Sequence, residues 1–157
     1  MKTGTKKKIR AFGMVLFCLY IVLLVYFLFF AEGYGRVPSQ EREYRYNLMP
    51  FVEIRRFWIY REQLGVLAVF TNIFGNVIGF IPYGFILPII SKKTENLLFV
   101  TSTGFLGSLL VETVQLITRV GSFDVDDLIL NTLGAFLGCL LFMACNKVRR
   151  WYHGEEI

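Results

Sequence analysis

The stretch Leu97-Leu-Phe-Val-Thr-Ser-Thr-Gly104-Phe-Leu-Gly-Ser108-Leu-Leu-Val-Glu112-Thr-Val-Gln115-Leu-Ile-Thr118 decides the fold. Crossing a bilayer takes about 20 predominantly apolar residues at roughly 1.5 Å rise each, and this run is long enough. It nevertheless carries a carboxylate past its middle. Ser108, Glu112, Gln115 and, just beyond, Arg119 recur at offsets of four and three, which puts them along one helical face. A membrane helix with one polar stripe is expected where helices pack on one another.

Three more apolar runs lie on either side: Ala11–Ala31, Leu64–Ile90 and Leu128–Cys145. The predicted fold is therefore all-α, a polytopic membrane bundle of four transmembrane helices over 11–31, 64–90, 97–118 and 128–145. A basic N-terminus (1–10), a polar first loop (32–63) and a short tail (146–157) complete the chain. Pro82 and Pro88 predict a kink or an early exit in the second span. Composition agrees: of 157 residues, 55% are hydrophobic, 17% aromatic and only 18% charged, against about 25% charged in soluble domains. The net charge of +5 does not indicate a nucleic-acid partner, because the Lys and Arg flank the apolar runs instead of forming one stripe. Three cysteines, Cys18, Cys139 and Cys145, all fall inside spans and read as small apolar fillers.

The first run starts like a signal peptide (Lys6, Lys7, Lys8, Arg10) but exceeds the roughly 7–15 apolar residues of one, and is expected to stay as a span. Basic residues set the orientation. With both termini in the cytoplasm every Lys faces inward, whereas Arg36, Arg42, Arg45, Arg55, Arg56, Arg61 and Arg119 fall in outer loops. A multi-pass protein of the cell membrane is expected. In the first outer loop, Asn47-Leu-Met-Pro-Phe-Val-Glu-Ile-Arg-Arg-Phe-Trp-Ile-Tyr60 interleaves aromatics with Arg and Glu, a pattern suited to the lipid–water interface.

Polar and small residues mark one face of each later span. Asn72, Asn76 and Gly79 share a face of the second, and Asp127, Asn131, Gly134 and Gly138 share a face of the fourth. These stripes are expected to face one another, with Gly75-x-x-x-Gly79, Gly104-x-x-x-Ser108 and Gly134-x-x-x-Gly138 allowing close backbone approach. Glu112 lies roughly 9 Å inside Thr118 at 1.5 Å per residue. An ionised carboxylate at that depth costs several kcal/mol unless paired, hydrated or protonated, and Arg119 on the same face is the expected partner. The turn Arg119-Val-Gly-Ser-Phe-Asp124-Val-Asp126-Asp127 has good capping chemistry: Gly121 to end one helix in the left-handed conformation, and Asp124 or Ser122 to start the next. Three carboxylates in four residues exceed what one cap requires. With Glu112 they would suit a hard divalent cation or the cationic or hydroxyl groups of a ligand, but a bare Asp-Val-Asp-Asp is a weak metal signature and no metal or other cofactor is assigned. His153, in the tail beside Trp151 and Tyr152, is expected to be solvated, and no Ser-His-Asp or Cys-His set spans the topology.

Asn47-Leu-Met-Pro50-Phe51, Asn72-x-x-x-Asn76, Phe80-Ile-Pro82-Tyr-Gly84, Glu112-x-x-Gln115, Arg119 and Asp124-x-Asp126-Asp127-x-x-x-Asn131-x-x-Gly134, in this order, resemble the VanZ-like family. The resemblance covers Asn47 to Phe142, within a VanZ-like region set at 47–145. It implies an integral membrane protein of the type that raises resistance to the lipoglycopeptide teicoplanin in Gram-positive bacteria. The family's recurring polar positions match Asn76, Glu112, Gln115, Arg119, Asp124, Asp126, Asp127 and Asn131.

The functional expectation is an outward-facing pocket that binds or modifies an envelope lipid or a lipid-tailed antibiotic. Asn72, Asn76, Gln115, Arg119, Asp124, Asp126 and Asn131 would bind the ligand, and Glu112 or Asp127 would serve as general acid or base. The tail would lie between spans two and four. Alternatives are a small proton-coupled transporter or flippase, which at this size would require a homo-oligomer, and a non-catalytic structural subunit. A transport path needs polar groups in the inner halves of the spans too, and those are almost entirely apolar.

Overall fold

A computed structural model describes residues 3–30 and 44–153. The first part of the expected outer loop, 32–43, lies outside the described residues. Four long helices dominate: α1 (Thr3–Phe29), α4 (Val66–Ile90), α5 (Leu97–Thr118) and α6 (Val125–His153). All four contain segments long and apolar enough to cross a membrane. Between α1 and α4 come a two-residue strand, β1 (Tyr46–Asn47), and two short helices, α2 (Val52–Ile59) and α3 (Arg61–Leu64). A second two-residue strand, β2 (Phe123–Asp124), precedes α6 and pairs with β1 in parallel, Tyr46 opposite Phe123 and Asn47 opposite Asp124. The chain is an all-α membrane bundle, as its apolar runs indicate.

Local chemistry fixes the helix ends. Asn96 caps α5, its side chain accepting from the N–H groups of Leu98 (2.8 Å) and Phe99 (3.3 Å). α4 continues through Pro82 and Pro88 to Ile90 without an early exit. α5 terminates at Arg119, which adopts the left-handed conformation at φ 54° while its N–H reaches back into the last turn. Gly121, expected in that role, follows the helix end and fits closely against the Gln115 side chain. The left-handed residue is needed where the last turn closes, and that point falls before Gly121.

Helix α6 is the axis of the bundle. It runs parallel to α4 and antiparallel to α5, and the α4–α6 contact is the largest between helices. Glycines set its spacing. A Cβ on Gly134 would meet the Val77 carbonyl, one on Gly138 the Ile81 carbonyl, and one on Gly84 the Ala135 carbonyl. Gly104 of α5 lies against the Ala135 methyl. Of the three expected small-residue pairs, Gly134 and Gly138 thus meet a partner backbone, and Gly104, of the pair with Ser108, meets a side-chain methyl. Gly75 and Gly79 do not: a Cβ there would meet nothing within 4 Å. The α4 face that α6 covers carries Val77, Ile81 and Gly84, one helical step away from them. The Gly79 carbonyl instead accepts from Tyr20 of α1 (2.9 Å).

The buried centre comprises Phe80, Val100, Ala135, Cys139 and Phe142, with Phe85 edge-on to Phe142 at 6.2 Å. An acyl chain between spans two and four, expected from the sequence, has no room along this contact, because the two backbones already touch. In detergent, Gly138→Val and Gly84→Val are expected to lower the thermal midpoint by an overpacking cost of about 1–3 kcal/mol or more. Gly75→Ala is expected to leave it unchanged or slightly raised, as read by a thermal-shift assay on the three variants beside the parent.

Candidate functional site

The site is built where the α5–α6 turn meets the segment before α4. Glu112, one face of α5, is buried, and its carboxylate accepts the backbone N–H of Asp124 at 3.0 Å. Asp124 in turn caps α6, its Oδ1 accepting from Asp126 N–H (2.8 Å) and from the Asn47 amide (3.1 Å). The Phe123 N–H donates to the Arg45 carbonyl at 3.0 Å, completing the seam between the two strands. A stack of polar groups therefore starts inside α5 and leads out to the first loop.

Asp126 reaches furthest. Its Oδ1 accepts from Phe51 N–H, and its Oδ2 accepts from Glu53 (2.8 Å) and Ile54 (3.1 Å) N–H groups. These are orphan donors at the N-terminus of α2, which has no side-chain cap of its own. One carboxylate from another helix thus does the work of a cap and also complements the helix dipole. Phe51 is left-handed (φ 67°), an uncommon state for a bulky residue, and the Asp126 bond holds it there.

With α2 fastened in this way, a half-open recess of about 140 Å³ forms between α2, α4 and the start of α6. Its polar wall is Glu53, Arg56, Asn72, Ser122, Asp124, Asp126 and Asp127, and its apolar wall is Ile54, Phe57, Ile73 and Leu130. Glu53 pairs with Arg56 one turn on, at 2.5 Å. Burial pushes the Glu53 carboxyl above its usual range, with the Arg56 guanidinium pulling it back and the Asp124 and Asp126 carboxylates adding to the rise. Burial likewise raises the Asp124 carboxyl, against the Asp126 N–H that favours its ionised form. On the opposite wall Asp127 accepts from the Asn76 amide, joining α6 to α4.

The VanZ/LLP1 family profile matches residues 17–146. Protein VanZ of Enterococcus faecium is 33% identical over 135 residues, which covers 84% of this chain and 74% of that relative. The chain belongs to the VanZ/LLP1 family. No solved structure gives a significant match. The family match begins within α1, well before the 47–142 stretch whose motifs resemble the family, so the first span is part of the VanZ/LLP1 unit.

The polar positions expected from the sequence separate into three places. Asp124, Asp126 and Asp127 line the recess, with Asn72 at its edge, where the Asn72 amide also donates to Ala68 of its own helix (2.8 Å). Asn76 touches the recess through Asp127. Asn131 lies deeper, its amide donating to Ser108 at 2.9 Å across α5 and α6, and its buried Oδ1 has no hydrogen-bond partner. Gln115 and Arg119 face elsewhere. The Gln115 amide donates to the Leu28 carbonyl at 3.2 Å, securing α1, and the Arg119 guanidinium lies over the Tyr44 ring at 4.1 Å. The expected Glu112–Arg119 pair is thereby replaced: the helix ends at Arg119 and turns it outward, leaving Glu112 to the Asp124 backbone. Glu112 supports the recess from below and does not line it. Glu53, Arg56 and Ser122 were not among the sequence candidates. The signal for Glu53 and Arg56 is the amphipathic 47–60 stretch, whose inward side depends on its partner, and Ser122 carries only a capping signal in the acidic turn. The acidic groups answer to different donors, and among the described residues no group of three His, Cys, Asp or Glu is placed to hold a metal ion.

Losing Asp126 is expected to free α2. A hydrogen bond to a charged group contributes about 1.5–3 kcal/mol, so Asp126→Ala is expected to speed tryptic cleavage at Arg55, Arg56 or Arg61 by about tenfold or more. Asp126→Asn keeps one acceptor oxygen and is expected to fall between the two.

Proposed function

We propose that this VanZ-family protein uses the recess to bind the polar head of a lipid-tailed ligand, an envelope lipid or a lipoglycopeptide, and so contributes to teicoplanin tolerance. The observation that carries the reading is the gathering of carboxylates, an arginine, an amide and a hydroxyl beside apolar Phe57, Ile73 and Leu130, at the membrane end of α4. Such a mixture suits a ligand with polar and apolar parts better than a simple ion. Asp127 and Asp124 accept from hydroxyl or ammonium groups, and Arg56 and Asn72 hold an anionic or carbonyl group. The tail stays in the bilayer outside the closed α4–α6 contact. Both termini lie in the cytoplasm, so the recess faces the cell exterior.

Among the described residues the recess offers carboxylates but no activated nucleophile, so any turnover would run through general acid–base steps at Asp127, with Glu112 keeping Asp124 in place. A transport route is less well supported. Below the Ser108–Asn131 bond, the buried residues Val100, Ala135, Cys139 and Phe142 form an apolar plug, and among the described residues the next buried polar side chain of α6 is Asn146, beyond that plug.

Expression in a teicoplanin-sensitive Gram-positive host is the test. The parent protein is expected to raise the inhibitory concentration of the drug severalfold. Asp127→Asn is expected to abolish that gain at equal protein level in the membrane. No gain from the parent, or full tolerance with Asp127→Asn, would overturn the reading.

A further inference from the structure

The inward side of α2 is accounted for by Asp126 and the recess, but its other side is not. Phe51, Val52, Trp58 and Ile59 are 62%, 43%, 64% and 54% exposed, and Arg55 lies among them, exposed as well. Before them, Leu48 and Met49 also stand clear of the protein. At eight residues, α2 is too short to cross a bilayer. We infer that this face of α2 docks on the phospholipid headgroup layer, with the Trp58 indole at the level of the acyl-chain ester groups and Arg55 and Arg61 on lipid phosphates.

Continuity with the membrane span argues for this occupant. From Ile59 the chain makes one short helix, α3, turns at Gly65 (φ 84°) and begins α4 at Val66, whose first residues carry the apolar surface of a span. The bilayer boundary at that end is therefore within a few residues of α2, whichever side of the membrane it is. Charge and geometry favour lipid as well. Arg61 donates to the Trp58 carbonyl at 3.0 Å, and its guanidinium lies 5.5 Å from the indole centre, so ring and cation are held as one unit. An indole flanked by a guanidinium matches an interface in which phosphate lies just above ester and chain. In water the same face would be an apolar patch rimmed by arginine, which soluble surfaces seldom leave open. Because Asp126 fixes the inner side of the same short helix, the recess and the headgroup layer share one wall. A lipid head would then reach the recess sideways, without leaving the membrane surface.

Trp58 and Trp151 are the two tryptophans, so Trp151→Phe leaves Trp58 as a single reporter. The full chain carrying that change is reconstituted in phosphatidylcholine vesicles, with and without phosphatidylglycerol. Fluorescence is quenched by lipids brominated near the head or near the methyl end of the acyl chain, and by aqueous acrylamide. The expected result is blue-shifted emission, quenching roughly twofold stronger by the shallow bromines than by the deep ones, and weak acrylamide quenching. Phosphatidylglycerol is expected to deepen the blue shift, and Arg55→Gln with Arg61→Gln is expected to remove that gain while retaining shallow quenching. Strong acrylamide quenching with no effect of brominated lipid would mean a water-facing helix and overturn the inference. So would protection from both quenchers, the signature of a protein partner or a second copy on this face. Neither outcome bears on the drug phenotype, so the failure of this inference and that of the binding reading are separable.

Discussion

The close contact of α6 with α4 sets the geometry of everything at its N-terminal end. Gly134, Gly138 and Gly84 bring two backbones so near that a single methyl group would collide with a carbonyl. Lipid supplies no hydrophobic drive for helices to associate, so intimate packing and polar contacts have to do so. Here both occur on one seam. The glycines lock the register, and that register puts Asp127 beside Asn76 one end further on. Any slip of one turn would part that pair and carry Asp124 and Asp126 away from β1 and α2.

The acidic turn is stable because its carboxylates do not share one task. Glu112 holds a backbone N–H, Asp124 caps a helix, Asp126 caps a different helix, and Asp127 takes an amide. Three of these acceptors face peptide N–H groups, which lack full charge but sit at helix starts, where partial positive charge gathers. That division gives each of the four acids its own donor. It also separates Glu112, which supports the recess from below, from Asp124, Asp126, Asp127, Glu53 and Arg56, which line it.

Much of this was legible in the sequence. Run length gave the four membrane helices, and helical spacing put Ser108 on the polar face of α5 and Asn131, Gly134 and Gly138 on that of α6, because a face is a property of a single regular helix. The expensive residues also came out, since an acid such as Glu112 in an apolar run has few explanations. What sequence could not supply was pairing between segments. Arg119 is two helical turns beyond Glu112, but the helix stops and the side chain leaves. Gly75 and Gly79 have the spacing of a packing motif, yet the partner covers a neighbouring face. The role of Asp126 depends on backbone groups near Phe51, and a peptide N–H has no residue-specific signature to read.

The pairing of β1 with β2 carries a consequence for biogenesis. Asn47 and Asp124 are 77 residues apart, and two membrane-length helices, α4 and α5, separate their synthesis. While the ribosome is still making α4 and α5, the segment 44–64 has neither its strand partner nor its cap. On the proposed docking, lipid is what shelters Trp58 and Ile59 in that interval. The recess therefore closes only when the start of α6 arrives, and a nascent chain interrupted before that moment would hold only the α2 and α4 walls of it.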